Sequence, residues 1–302
     1  MNGDTYIRIA GIIKRCTGIN DFSLFRKRCT KRIGKLIYHR HYSASDIIRV
    51  MEEMGMQRGS LVCVHASMMQ FYNYDGTAQE LIDGIMESIG PEGTLMMPAF
   101  PAHIDGYDYS EPFFFDVDND KTGAGYLAEV FRQMKGVKRS AVAKSSACAI
   151  GPLADYLVGE HHLCQDCWDA YSPWYRMCLE GGLVFNLGMP RSYIGTFHHC
   201  VESTLKNEHP YWEQFFNRKG YYNYVSGGQR GEYVNMDSDL VRKTRESQVT
   251  RYFTEEEWSI RKLSNLEIKM FNSRKALDKM IELGRKGVSV YRIPSAANYN
   301  KA

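Results

Sequence analysis

The sequence predicts a single-domain α/β/α sandwich with a mixed or largely parallel sheet, preceded by a basic N-terminal helical extension. Three observations carry this. From about residue 60, short apolar runs alternate with helical patterns, which is the signature of βα units on one sheet. No internal repeat or low-complexity linker divides that stretch. Charge, in contrast, divides the chain: of the formal +3 over 302 residues, positions 1–50 carry +8 and the remainder −5. We therefore expect a basic extension over 1–50 and one domain over 51–302.

The elements follow in order. Leu61 to His65 is a buried strand. Thr77 to Ile89 is a helix, because Leu81, Ile82, Ile85, Met86 and Ile89 recur at helical spacing and Gly90-Pro91 stops it. Thr94 to Met97 is the next strand. Residues 99–121 read as a long loop rich in aromatics and Asp, a length that is usually functional or mobile. Gly125 to Met134 and Pro152 to Leu157 are helical, and Ala147 to Ile150 is a strand. Ser172-Pro173 opens a helix with Pro in its first turn. Leu183 to Leu187 is a strand and Gly195 to Leu205 a helix. Tyr221–Val225 and Glu232–Met236 flank Ser226-Gly227-Gly228-Gln229 as a β-hairpin. A helix over Ser273 to Leu283 and a strand over Val288 to Arg292 complete the series.

Several function classes lack support. The Tyr6 to Ile13 stretch is broken by Arg8 and is too short to span a bilayer, and it lacks a cleavage site. The eight cysteines are scattered, some within apolar runs, as reduced cysteines in the cytoplasm are. His161, His162, Cys164 and Cys167 are zinc-ligand types, but the single Cys-x-x-Cys has no second half, so no metal is expected. No phosphate-binding glycine loop and no Gly-x-Ser-x-Gly elbow occurs. Nothing suggests nucleic-acid binding.

His199 and Glu202 stand three apart on a predicted helix, so they share a face. A carboxylate beside an imidazole fixes its tautomer and raises its basicity, which suits a general base. An ordinary surface pair is the plain alternative. The helix follows a buried strand that ends in Gly188, the usual place for a site in an α/β sheet.

The segment Ser172-Pro173 to Leu187-Gly188, with Gly181-Gly182 inside it, resembles the "SPxxxLxxxGGxVLxLG" block of the aminoglycoside 3-N-acetyltransferase family. Thr196-Phe197-His198-His199-Cys200-Val201-Glu202 is similar to its "TxxHxxE", and Gly59 to Met68 to its "GDxLxVHSSL". Gly90-Pro91-Glu92-Gly93-Thr94-Leu95 and Gly125 to Arg132 look like its "GPEGTL" and "GALAExFR". Arg139-Ser140 and Ser146 to Gly151 match part of "RSxHPTHSVAAxG". The collinear likeness runs over about residues 55–290.

The resemblance implies an acetyl-CoA-dependent N-acetyltransferase with His199 as general base, Glu202 as its orienting partner and the Thr196 hydroxyl as an oxyanion donor. His198 is the competing base. By motif position, His65, Ser67 and Ser146 line the pantetheine channel, and Arg139 meets a CoA phosphate. Asp116 and Arg191 are expected at the acceptor. The chain departs from the motifs at Val142-Ala143-Lys144-Ser145, where both "HPTH" histidines are missing, at Ala66, and at Gly188-Met189-Pro190-Arg191 in place of "GHD". An Arg near the base suits an anionic acceptor better than a polycation. The expectation is therefore an amino sugar or sugar nucleotide of cell-surface polysaccharide biosynthesis. The alternatives are an aminoglycoside acceptor, giving antibiotic resistance, or a non-catalytic scaffold.

The basic segment lies outside the resemblance. Phe25, Cys29, Ile33, Leu36 and Ile37 share one helical stripe among Arg and Lys, which suits an anionic membrane or partner. A cytoplasmic enzyme is expected, at the inner membrane face if residues 24–38 dock there. A homo-oligomer is allowed for.

Overall fold

The computed structural model describes residues 22–296 and Tyr299. Its strands are β1 (Leu61–Ala66), β2 (Thr94–Pro98), β3 (Phe113–Asp116), β4 (Lys138–Arg139), β5 (Ala147–Ile150), β6 (Leu183–Leu187), β7 (Arg218–Ser226), β8 (Gln229–Asp237), β9 (Lys243–Thr244), β10 (Trp258–Leu263), β11 (Leu266–Asn272) and β12 (Tyr291–Ile293). The helices are α1 (Phe22–Ile37), α2 (Ala44–Glu53), α3 (Ala78–Ile89), α4 (Tyr126–Arg132), α5 (Ala154–Val158), α6 (Pro173–Leu179), α7 (His199–Leu205), α8 (Pro210–Glu213), α9 (Ser247–Thr250) and α10 (Ser273–Arg285).

The continuous apolar runs of β1, β2 and β6 have no polar face, so they need cover on both sides. They form the parallel centre of a sheet ordered β10-β11-β6-β1-β2-β5-β4, with antiparallel flanks. One face packs on α2, α3 and α4 through Ile47, Met51, Leu81, Ile85, Leu127 and Phe131. The other packs on α5, α6, α7 and α10 through Trp174, Met177, Phe197, Leu205 and Leu277. This is the expected sandwich, with a mixed sheet. Local signals start the helices: Thr77 caps α3 in a reciprocal box with Glu80, and Ser172 with Pro173 opens α6.

Three expectations change. The domain boundary at 50 falls inside α2, whose Ile47 and Met51 are buried in the core, so residues 44–50 belong to the body. The stretch 99–121 is not all loop. It contains β3, which pairs in parallel with β7 and, with β8, makes a separate three-stranded sheet packed through Phe115, Tyr222 and Tyr233. The sequence pattern also does not announce the β10–β11 hairpin. Its turn is made by Ser264-Asn265 with Ser264 at φ +55°, where a glycine would have flagged it.

Helix α1 docks differently from its predicted stripe. Gly34 lies against the Tyr72 ring, where a Cβ would come within 2.2 Å, and Lys31 Nζ donates to the Met68 carbonyl at 3.3 Å. Ile33, Leu36 and Ile37 are left exposed. The side chain of Phe25 and the stretch from Tyr6 to Ile13 lie outside the described residues. Among the described residues, no helix is long and apolar enough to cross a membrane.

Candidate active site

The site begins where β6 ends. Gly188 turns the chain at φ +68°, and a side chain there would meet Gln70 Cβ at 2.7 Å. The loop that follows is held from three sides. Asn186 Nδ2 donates to the Tyr193 carbonyl at 2.8 Å, and Lys269 Nζ donates to the carbonyls of Arg191 and Tyr193 at 2.7 and 2.5 Å. The Glu246 carboxylate accepts the N–H groups of Ile194 and Gly195, both at 3.0 Å. Those donors would otherwise be orphans at the start of the turn Gly195–His198, which runs directly into α7.

This brings together His199 and Glu202. His199 Nδ1 lies 2.8 Å from Glu202 Oε1. A carboxylate can only accept, so Nδ1 carries the proton and Nε2 presents a lone pair. Glu202 is 1% exposed and has two further donors. The Tyr291 hydroxyl donates to Oε1, and Arg242 Nη1 donates to Oε2 at 3.3 Å. Burial alone would push the Glu202 carboxyl up. The facing His199, Arg242 and His198 outweigh burial and hold it down at about 2, so the group stays ionised. Trp168 stacks on His199, and both line an open cleft of about 280 Å³ with Asp105, Lys144, Phe215, Asp237 and Arg242.

His198 faces the other way. Its Nδ1 pairs with the Gly195 carbonyl at 2.6 Å, and the ring borders a small internal cavity with Trp212 and Met280. Burial first, then His199, push it down to about 3, so it is neutral and turned away from the cleft. Among the described residues, His198, His199 and Glu202 are the one group whose ligand atoms could gather a metal ion. Yet both Nδ1 atoms are engaged in hydrogen bonds, so the donor set does not fit a metal. His161 is held by Ser140 and Ser145, and Cys167 lies against Asn235.

The other anticipated residues scatter. Thr196 is half-buried one turn before His199. His65 is buried, stacked on Trp174 and edge-on to Tyr193, and pushed down to about 4 by burial. It packs the core beneath the site. Ser67 is half-buried just beyond β1, its N–H on the Leu187 carbonyl. Ser146 is buried, with its hydroxyl donating to the Ser140 carbonyl at 2.9 Å. Arg139 commits four N–H contacts to the carbonyls of Ala99, Val117 and Asp120. It clamps the 99–121 stretch and keeps one donor free. Asp116 folds its own turn, accepting from Asn119 and the N–H of Asp118. Arg191 is exposed and is not in the cleft lining. Trp168, Arg242, Glu246, Lys269 and Tyr291 are site residues that sequence reasoning missed. None stands in a motif beside the dyad.

A family model described as aminoglycoside 3-N-acetyltransferase matches residues 63–284. The chain belongs to the aminoglycoside 3-N-acetyltransferase family. Sequence relatives of that name agree. Aminoglycoside N(3)-acetyltransferase III of Salmonella sp is 28% identical over 172 residues, which is 53% of this chain and 60% of that one. Aminoglycoside N(3)-acetyltransferase VIII of Streptomyces fradiae is 28% identical over 175 residues, 51% of this chain and 58% of that one. The match thus spans about 60% of these relatives' length. Solved structures of family members share the fold. AAC-IIIb as a binary complex with CoASH superposes at TM-score 0.68 with 16% identity, covering 83% of this chain and 98% of that one. Sisomicin-bound AAC-VIa gives 0.67 with 19% identity, covering 83% and 100%. Helices α1 and α2 precede the family match.

Proposed function

We propose that the protein is an acetyl-CoA-dependent N-acetyltransferase acting on an amine of a sugar or aminocyclitol ring, with His199 as general base. The observation that carries this reading is the His199–Glu202 pair, with Nδ1 protonated against an ionised, buried carboxylate and Nε2 directed at an open cleft. In the reaction, the acceptor nitrogen attacks the thioester carbonyl carbon and His199 Nε2 takes its proton. The C–S bond then breaks, and CoA leaves as a thiolate that is protonated by His199. General-base assistance of this kind contributes about 10² to 10⁴ in rate. The Thr196 hydroxyl is a donor for the oxyanion, Ser67 stands at the carboxyl end of β1 for the pantetheine arm, and Arg139 has one N–H left for a phosphate. His65 and Ser146 act from beneath, through packing. The names of the relatives favour an aminoglycoside-type acceptor. None of the comparisons points to the cell-surface polysaccharide setting expected from Arg191, a residue outside the cleft lining.

The test is thiol release from acetyl-CoA with a panel of aminoglycosides and simpler amino sugars. We expect turnover that His199→Ala lowers by at least about 100-fold, in line with loss of a general base. Undiminished turnover in His199→Ala would displace the base, and absence of both turnover and CoA binding in the wild type would favour a scaffold.

A further inference from the structure

The acceptor cleft contains two ion pairs, and each is arranged with its cation outward. Lys144 Nζ lies 2.7 Å from Asp237 Oδ1, with side-chain exposures of 26% for the lysine and 7% for the aspartate. Arg242 Nη1 lies 3.3 Å from Glu202 Oε2, with exposures of 27% and 1%. Both cations line the cleft that holds His199. A molecule entering it therefore meets the ammonium and the guanidinium before it meets their carboxylates.

Neither cation has spent its donors. An ammonium has three N–H groups, and Lys144 uses them on Asp237 and the Tyr109 hydroxyl. A guanidinium has five, and Arg242 uses them on Glu202 and the Phe215 carbonyl. One and three donors remain. The carboxylate in the lining without a cation partner among the described residues is Asp105, exposed on the rim. The arrangement is poor for a polycation, whose several ammonium groups each need an acceptor and would meet like charge at Lys144 and Arg242. Nor do these cations suit the phosphates of CoA, because the whole pantetheine arm separates those phosphates from the thioester at His199. Lys144 also stands in the stretch Val142 to Ser145, where this chain departs from the family motif.

We propose that Lys144 and Arg242 form an anion subsite beside the His199–Glu202 pair, so that the preferred acceptor carries a carboxylate or phosphoryl group close to its reacting amine. This rests on the acetyl-transfer reading above and narrows its acceptor. The anion accepts the free N–H groups of Arg242 and Lys144, while Asp105 meets the incoming ammonium at the rim. Charge-assisted bonds of this kind orient as well as bind, because the guanidinium offers a planar fork.

The test compares kcat/KM for glucosamine with that for glucosamine 1-phosphate and muramic acid, in which an anion adjoins the same 2-amine, and for kanamycin. The wild type should favour the anionic acceptors over glucosamine by about tenfold or more, the worth of one good charge-assisted bond. In Arg242→Gln and Lys144→Gln the ratio should fall towards one. Because both acceptors share the chemistry, the ratio is insensitive to any general loss of rate. Lys144→Gln leaves Asp237 without its cation, so Lys144→Gln with Asp237→Asn serves as the folded control and should show the same fall. A wild-type ratio at or below one, a ratio unchanged in the variants, or kanamycin as the best acceptor would overturn the subsite. If no acceptor releases thiol, the acetyl-transfer reading itself fails. Calorimetric titration of glucosamine 1-phosphate against glucosamine then decides the subsite alone, with equal or weaker binding of the phosphate counting against it.

Discussion

The indole of Trp168 lies over the imidazole of His199, with ring centroids 4.4 Å apart and planes 20° apart. The stack fixes the tilt of the ring, while Glu202 fixes its rotation by holding Nδ1. Together they leave Nε2 one direction, into the cleft.

Trp168→Ala should therefore lower kcat more than it lowers stability. The lost stack is worth about 0.5–1.5 kcal/mol, whereas a base displaced by an ångström can cost about 100-fold. Thiol-release kinetics beside a thermal melt check this. A melt that collapses while kcat of the residual folded enzyme is unchanged would make Trp168 a packing residue only.

Tyr291→Phe removes one donor from Glu202 and leaves the ring packing of Tyr291 on Phe215 in place. A hydrogen bond to a charged group is worth about 1.5–3 kcal/mol. We expect urea unfolding to show a loss in that range, with a reduced kcat. A variant as stable as the wild type would mean that Arg242 alone suffices to hold the carboxylate.

Glu202 makes stability depend on acidity in a defined direction. Its folded value, about 2, lies below the unfolded value near 4.3. The stabilisation is thus fully present above about pH 5 and is lost as pH falls towards 2. The stability difference between wild type and Glu202→Gln should be flat above pH 5 and shrink below it. A difference that stays constant down to pH 2.5 would show that the carboxyl is not held low.

The sequence made the sandwich legible because apolar runs and helical spacing are local properties. The dyad was legible for the same reason: His199 and Glu202 are three residues apart. What surrounds the dyad was not. Trp168 comes from the segment before α6, Arg242 from a polar stretch between β8 and β9, and Tyr291 from β12. They meet at His199 only through tertiary packing, and no spacing rule links positions that far apart. Arg139 shows the converse. Its motif position suggested a ligand contact, but its environment commits most of its donors to backbone carbonyls.

Lys269 reverses the pH direction. Burial pushes its ammonium down to about 8, against the pull of Glu246 and Glu267. Below that value the folded state carries the cost of a buried charge. As pH rises from about 8 to 10.4, the unfolded chain still binds the proton and the folded one releases it, so folding gains, by at most about 1.4 kcal/mol per pH unit. Urea melts at pH 7.5, 9 and 10 should show the wild type gaining on Lys269→Met over that interval. A parallel course of the two would remove Lys269 from the titrating groups.

Helix α1 offers a surface of a different kind. Ile33, Leu36 and Ile37 are 59%, 74% and 64% exposed, and Arg28, Arg32 and Lys35 stand among them, exposed as well. An apolar stripe flanked by cations suits the headgroup region of an anionic bilayer, where each Lys or Arg near the surface adds about 1 kcal/mol. The body holds this helix by Gly34 and Lys31, on positions that leave the stripe clear. We expect the full-length protein to sediment with vesicles containing phosphatidylserine but not with purely zwitterionic ones. Replacing Arg28, Arg32 and Lys35 together by Gln should weaken that partition by about two powers of ten, and Leu36→Glu should weaken it without changing total cation count. Raised salt should act like the triple replacement, because the attraction is screened within about 8–10 Å. Equal sedimentation with both vesicle types would make the contact purely apolar. No sedimentation with either would leave the stripe to a protein partner or to a second copy of the chain, which light scattering would detect.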